Sequence, residues 1–155
     1  MKGSSLIEII VGLAVIATAL LFLGNIAQYS LRLVETSTMR LQATFLLSEG
    51  AEAVKTMRDR GWTANINPLP LDTDSYLAFS ANQWQATATP ETIDNAFSRK
   101  FTVAGVQRNS SDDIVASGGT VDPNTKKITV TVSWNQGSRP FSESISTYIT
   151  NLFNN

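Results

Sequence analysis

Hydrophobic and polar positions divide the chain into three regions, and the first is apolar throughout. Residues 4–26 present apolar side chains on every helical face, and the wider run Ile9–Leu31 contains 23 residues without Asp, Glu, Lys or Arg. As a helix this run is roughly 34 Å long at about 1.5 Å per residue, enough to cross a hydrocarbon core of about 30 Å. The pattern therefore predicts a membrane-spanning helix.

The second region, residues 27–61, contains no proline and continues the helical pattern with a narrower apolar stripe. Gly61 is expected to end this helix, since Pro68 and Pro70 exclude its continuation. We predict an amphipathic stem whose stripe, together with Trp62, packs on the rest of the protein. The stripe residues recur at spacings of three and four: Met39, Ala43, Leu46, Leu47, Gly50, Val54 and Met57.

The third region is rich in Ser, Thr, Asn and Gly and shows the period-two alternation of β-strands. In KITVTVSW, for example, Ile128, Val130, Val132 and Trp134 alternate with hydroxyl residues. The preceding VDPNTKK (residues 121–127) is expected to form a turn, because proline fixes φ and aspartate bonds to the backbone ahead of it. The predicted strands are Tyr76–Ser80, Gln83–Thr87, Phe101–Gln107, Lys127–Trp134 and Glu143–Ile149, with a short hairpin corner at Ile114–Ala116.

Together these regions predict an α+β fold in which a long N-terminal helix packs on a C-terminal antiparallel β-sheet. Short turns between the strands favour an antiparallel over a parallel arrangement. The expected organisation is a transmembrane helix at 4–26, an amphipathic stem at 27–61 and a β-sheet head at 62–155.

Composition excludes several kinds of function. The chain has no cysteine and no histidine, which removes disulfides, thiol catalysis, and the commonest general base and metal ligand. The formal net charge is −1, from 12 basic and 13 acidic residues, so nucleic-acid binding has little electrostatic support. We therefore predict a protein that is not an enzyme and that needs no cofactor or metal.

Two groups of residues suggest alternative binding sites. Asp72–Asp74 and Asp112–Asp113 offer the oxygen ligands that calcium prefers, but neither pair has the spacing of a defined calcium loop. Solvated carboxylates are the simpler interpretation. Trp62, Trp84 and Trp134 are likewise interpreted as core or rim packing rather than as a platform for sugars.

Glu8 is an anomaly, because it lies at the start of the apolar region, where a carboxylate is costly and adds nothing to an anchor. An acidic residue at membrane depth indicates a function when a partner for it can be named. Lys2 and the initial amino group precede the apolar run. By the positive-inside tendency, the N-terminus is expected in the cytoplasm and everything after Leu31 outside it.

The residues around Glu8 resemble a known processing signal. The sequence KGSSLIE at 2–8, followed by an apolar helix, is similar to the prepilin-type signal of type IV pilins and type II secretion pseudopilins. LLSEGAEAVKTMRDRGW at 46–62 resembles a helix of minor pilins of the PilV and pseudopilin I type, and VDPNTKKITVTVSW at 121–134 resembles a strand that ends many of their heads. Ser4, where the family usually has Phe or Met, and the three-residue leader differ from the family pattern.

This resemblance implies a pilin fold, a leader peptide at 1–3 that a prepilin peptidase removes by cleavage after Gly3, and methylation of the new amino terminus at Ser4. It also makes 4–26 the assembly helix and 62–155 an extracytoplasmic head. It gives Glu8 the role of pairing with the terminal amine of a neighbouring subunit in the membrane. The implied partners are other pilin subunits, the prepilin peptidase, the inner-membrane assembly platform and the lipid bilayer. The implied location is a single pass of the cytoplasmic membrane before assembly and an extracellular or periplasmic filament afterwards.

Other functions stay open at this level. The main alternative is a tip-located minor pilin or a membrane-anchored adhesin whose head binds a surface, a sugar or DNA. An ordinary secretory signal cleaved near Ala27 and a plain single-pass anchor explain the N-terminus less well, because neither gives Glu8 a purpose. The sequence does not distinguish pilus, secretion and competence systems, or a major from a minor subunit.

Overall fold

The computed structural model describes residues 4–153. Contacts between residues separate the chain into two compact units, 1–40 and 41–155, and helix α1 (Ser4–Arg60) contributes to both. A short helix, α2 (Trp62–Asn65), follows it. The strands are β1 (Ser75–Ser80), β2 (Gln83–Thr87), β3 (Thr92–Ile93), β4 (Phe97–Arg108), β5 (Ile114–Val115), β6 (Thr120–Gln136) and β7 (Arg139–Thr150).

The described part of the N-terminal unit is helical, and its large apolar side chains are exposed. Between Leu6 and Val34 these side chains are 49–71% exposed. By length and composition, this part of α1 is apolar enough to cross a membrane. A helix that is apolar all round is stable where lipid or other helices cover it.

The C-terminal unit is built on one seven-stranded sheet with the order β2-β1-β4-β6-β7, in which β3 and β5 also pair with β4. Every pair of strands is antiparallel. One face of this sheet packs against the part of α1 that belongs to the same unit. The predicted α+β fold, a long helix on an antiparallel sheet, is therefore confirmed.

Alternation along the strands decides which residues form the core. On β6, Ile128, Val130, Val132 and Trp134 are at most 4% exposed, whereas the hydroxyl residues between them lie on the other face. Burying this row removes apolar area from water, which stabilises the fold by about 25 cal/mol per Å² of buried area. The remaining large core residues of the sheet are Leu77, Phe97, Phe101, Val103, Val106 and Ile149.

The predicted turn at residues 121–127 is wrong, because this segment lies within the continuous strand β6. Gly105 of β4 lies opposite Lys126, but the next residue, Val106, lies opposite Asp122. The residues of β6 between these two partners, 123–125, therefore form a bulge. Pairing with β7 continues through Thr125. Asp122 does hydrogen-bond to the backbone that follows it, because its Oδ1 accepts from the N–H of Asn124 at 2.9 Å. The bulge thus accommodates the side chain-to-backbone hydrogen bond expected of a turn without ending the strand.

Candidate functional site

Glu8 lies in the first turns of α1, where it is exposed and surrounded by exposed apolar side chains. Among the described residues, no cationic side chain forms an ion pair with it. The nearest one along the described helix is Arg32, roughly 36 Å away at about 1.5 Å per residue. The carboxylate therefore needs a partner from outside the described part of its own chain if lipid surrounds this segment.

The other predicted processing and stem residues are placed as follows. Gly3 and the leader lie outside the described residues, and of Ser4 the structure describes only that α1 begins there. Met39 is half-buried but belongs to the N-terminal unit. Thr18, a polar residue in the apolar run, donates its hydroxyl to the helix carbonyls of Ala14 and Val15 at 3.0 and 2.9 Å, so its polar group is satisfied within α1.

Gly50 is buried where α1 packs against the sheet. A Cβ atom added to it would lie 2.8 Å from Cγ1 of Val130, 3.1 Å from Cδ of Arg99 and 3.7 Å from Cδ1 of Leu77. The first distance is too short for any real Cβ contact, so a glycine is required for the helix to lie this close to β6. The small residue singled out in the stripe thus lets side chains of the sheet pack directly on the helix backbone.

The rest of the predicted stripe surrounds this contact within the C-terminal unit. Leu46 is half-buried, while the others are at most 4% exposed: Ala43, Leu47, Val54 and Met57. Trp62 is buried at 3% and follows Gly61, whose φ of 154° allows the chain to leave the helix. The structure thus brings these stripe residues to one buried surface of the C-terminal unit, while Glu8 belongs to the N-terminal unit.

Sequence analysis missed Arg99, whose side chain is only 5% exposed. Its Nη1 donates to Oε2 of Glu49 at 2.6 Å and to the helix carbonyl of Leu46 at 3.2 Å. The guanidinium also lies 5.3 Å from the ring centre of Trp84. A signal existed in the sequence, because Arg99 alternates with Phe97 and Phe101 and therefore shares their apolar face. This arginine ties β4 to α1, and its buried Nε has no hydrogen-bond partner among the described residues.

A second ionic cluster stabilises the bulge of β6. Nε of Arg108 donates to Oδ2 of Asp122 at 2.7 Å, and the same guanidinium donates to the Thr125 hydroxyl at 3.3 Å. The hydrogen bond from Arg108, followed by that from Thr125, lowers the pKa of Asp122 to about 2. This carboxylate is 16% exposed and stays ionised through the physiological range. The cluster ties β4 to the bulge of β6.

The acidic residues weighed as calcium ligands are loop residues of the same unit. Lys100 pairs with Asp74 at 2.7 Å, and Arg108 approaches Asp112 at 3.6 Å. Asp113 bonds to the Asn109 turn through its backbone. Within residues 4–153, no three Asp or Glu side chains come together in a way that could hold a metal ion.

No protein-family model matches the chain, and searches of curated proteins and of solved structures found no similar protein. The resemblance to pilins therefore rests on the sequence motifs described above.

Proposed function

We propose that this protein is a pilin-like structural subunit that is processed after Gly3 and assembled into a type IV pilus or a pseudopilus. The observation that carries the proposal is the apolar surface of α1, exposed from Leu6 to Val34 and interrupted near its start by the carboxylate of Glu8. A plain anchor accounts for the apolar surface. It does not account for the acid.

Assembly gives both features a purpose. Cleavage after Gly3 creates an amine at Ser4, four residues before Glu8. A charge alone at the bilayer centre costs about 2.5–3.5 kcal/mol on insertion scales, so a carboxylate and an amine from neighbouring subunits each lower the cost of the other. Because the pair forms between two molecules, it favours one register of the two helices. The apolar helices then bundle and cover each other's exposed surfaces.

In the proposed function, the C-terminal unit is the part of the subunit that is exported. Its sheet and the part of α1 in the same unit share one core around Gly50, and ion pairs such as that of Arg99 with Glu49 form within it. It therefore serves as a folded head, and the proposal gives it no catalytic role. The subunit crosses the cytoplasmic membrane once before assembly and lies in an extracytoplasmic filament afterwards.

The intact mass of the protein extracted from membranes tests the processing step. We expect a mass that lacks Met1, Lys2 and Gly3, with or without one added methyl group on Ser4. A matched variant, Ser37→Ala, changes a small residue of the same helix and should be processed equally. A Gly3→Arg variant should retain the leader. Recovery of the unmodified protein with all three leader residues would overturn the proposal.

A further inference from the structure

Strand β7 forms one edge of the sheet, and within residues 4–153 no strand pairs with its outer side. It contains 12 residues and pairs with β6 without a register shift. Its free edge is therefore uninterrupted by a bulge and about 40 Å long at roughly 3.3 Å per residue. The opposite edge, β2, has only 5 residues. A long edge strand is a template for another strand, because its outward N–H and C=O groups lack partners.

Two observations identify which residues of β7 point their backbone groups outward. The N–H of Asn151 donates to the carbonyl of Asn124 at 2.8 Å, and the hairpin between β6 and β7 closes at Gln136 opposite Arg139. In an antiparallel ladder, residues alternate between those that bond to the neighbour and those that face away. The odd-numbered residues of β7 thus bond to β6. The outward groups belong to Ser142, Ser144, Ser146, Tyr148 and Thr150.

The usual protections of an edge strand are missing along most of β7. Natural sheets block their edges with lysine, proline or a bulge. In β7, the proline is at the second position, Pro140, and Glu143 carries the only charge beyond it. Ile145 is 38% exposed on the same face as the core residue Val130, its partner in β6. Of the outward carbonyls, that of Tyr148 accepts a long contact, 3.5 Å, from the Thr147 hydroxyl.

We propose that β7 pairs antiparallel with β7 of a second copy of this chain, about a two-fold axis at Ile145. Two registers pair nearly the whole of β7 with β7 of the other copy. One is centred on Ser144 and sets the carboxylate of Glu143 against Ile145 of the other copy. The other is centred on Ile145 and sets this side chain against its own equivalent, with Glu143 opposite Thr147. The second register brings the two Ile145 side chains together and sets Glu143 against a polar residue, Thr147, so it is the favoured one.

A second copy is a better occupant than an unrelated peptide because the strand is self-complementary. In the register centred on Ile145, Ser144 lies opposite Ser146 and Ser142 opposite Tyr148, and no two like charges face each other. The outward N–H and C=O groups from Ser142 to Tyr148 all find partners. Since the pairing concerns only the C-terminal unit, it does not depend on processing after Gly3 or on the role proposed for Glu8.

Single cysteines test this pairing in the full-length protein in detergent micelles, because the chain has no cysteine of its own. In this register the two copies of residue 145 form a non-hydrogen-bonded pair, with Cβ atoms about 4.5–5.5 Å apart, close to disulfide distance. We expect Ile145→Cys to give disulfide-linked dimers under mild oxidation. Ser144→Cys, one residue away, should give at least about tenfold less, because its two copies lie farther apart.

Two further variants separate edge pairing from random collision and from misfolding. Lys127→Cys, an exposed residue in the neighbouring strand, measures the collision background. Ser144→Lys combined with Ser146→Lys, added to Ile145→Cys, should abolish the cross-link, while circular dichroism should show an intact sheet. Cross-linking of Ile145→Cys at the Lys127→Cys level, or more cross-linking from Ser144→Cys than from Ile145→Cys, would overturn the proposal.

Discussion

At the scale of single residues, Arg99 and Glu8 show what a sequence pattern reveals about a charge. Glu8 is conspicuous because the surrounding residues are apolar for a whole membrane span, so a single sequence was enough to mark it. Arg99 lies in a strand whose start was predicted four residues too late, at Phe101, and its position on the apolar face was therefore missed. Its partners Glu49 and the Leu46 carbonyl are 50 and 53 residues away. Periodicity within one segment carries no information about such partners.

Asp122 provides a prediction about pH. Its pKa is about 2 in the folded protein, below the ordinary value of 3.8, because Arg108 and then Thr125 hydrogen-bond to its ionised form. The stabilisation is therefore fully present above about pH 4 and is lost as the pH falls towards 2. We expect Asp122→Asn to be less stable than the wild type at pH 6 and nearly equal to it at pH 2. Urea denaturation in detergent, followed by tryptophan fluorescence, measures both.

The control for this prediction is Asp94→Asn, since Asp94 forms no ion pair with a described residue. Its stability should follow the wild-type pH profile. A constant difference between Asp122→Asn and the wild type from pH 6 to pH 2 would show that the carboxylate has no special role at the bulge.

At the scale of elements, the alternation of apolar residues predicted the long central strands and their buried faces. The bounds were less accurate, because pairing extends a strand beyond its own pattern. The segment at 121–127 is the clearest case. Pro123 and Asp122 favour a turn locally, but β4 pairs with the strand on both sides of the bulge and β7 pairs with it from Thr125 onward, which holds it extended. The two-residue strand β3, Thr92–Ile93, exists only through its pairing with β4 and has no pattern of its own to detect.

Gly50 gives a prediction at this scale. In an exposed helix, replacing glycine by alanine stabilises by up to about 1 kcal/mol. At Gly50 the new Cβ would lie 2.8 Å from Cγ1 of Val130, so either the helix or the strand has to move. We expect Gly50→Ala to lower the free energy of unfolding by about 1–3 kcal/mol, the usual cost of overpacking a core. Denaturant titration of the detergent-solubilised protein measures this change.

The matched control is Gly24→Ala, where an added Cβ meets nothing within 4 Å. This variant should be as stable as the wild type or more so. Adding Val130→Ala to Gly50→Ala should remove the clash, so the double variant should be destabilised by less than the sum of the two single changes. A Gly50→Ala protein as stable as Gly24→Ala would mean that the helix does not approach β6 this closely.

At the scale of the whole molecule, the chain has two units with different needs. The C-terminal unit buries its own core, whereas the large apolar side chains of the N-terminal helix are exposed, an arrangement that is stable where lipid or other helices cover them. The fold of the first could be predicted because alternation and helical spacing report on burial within one chain. The partner of Glu8 could be named only through the resemblance to pilins, because no group in the described part of this chain provides it.

The last prediction concerns that partner. Glu8→Gln keeps the size and shape of the side chain and removes its charge, so the helix should still insert into the membrane. If Glu8 pairs with the terminal amine of a neighbour, the variant leaves that amine unpaired in lipid. The loss of about 1.4 kcal/mol at each contact corresponds to a factor of ten, and we expect at least about a tenfold decrease in assembled filament. Quantitative immunoblotting of the sheared filament fraction, relative to the membrane fraction, measures it.

Two variants distinguish charge pairing from a general defect in the helix. Glu35→Gln removes a carboxylate from the same helix outside the apolar run and should assemble like the wild type. Glu8→Asp retains the charge on a side chain one methylene shorter, and should therefore recover part of the assembly that Glu8→Gln loses. Assembly of Glu8→Gln at the wild-type level would show that the acid is tolerated rather than used. In that case the apolar surface of α1 would suffice for anchoring, and the main argument for a filament subunit would fail.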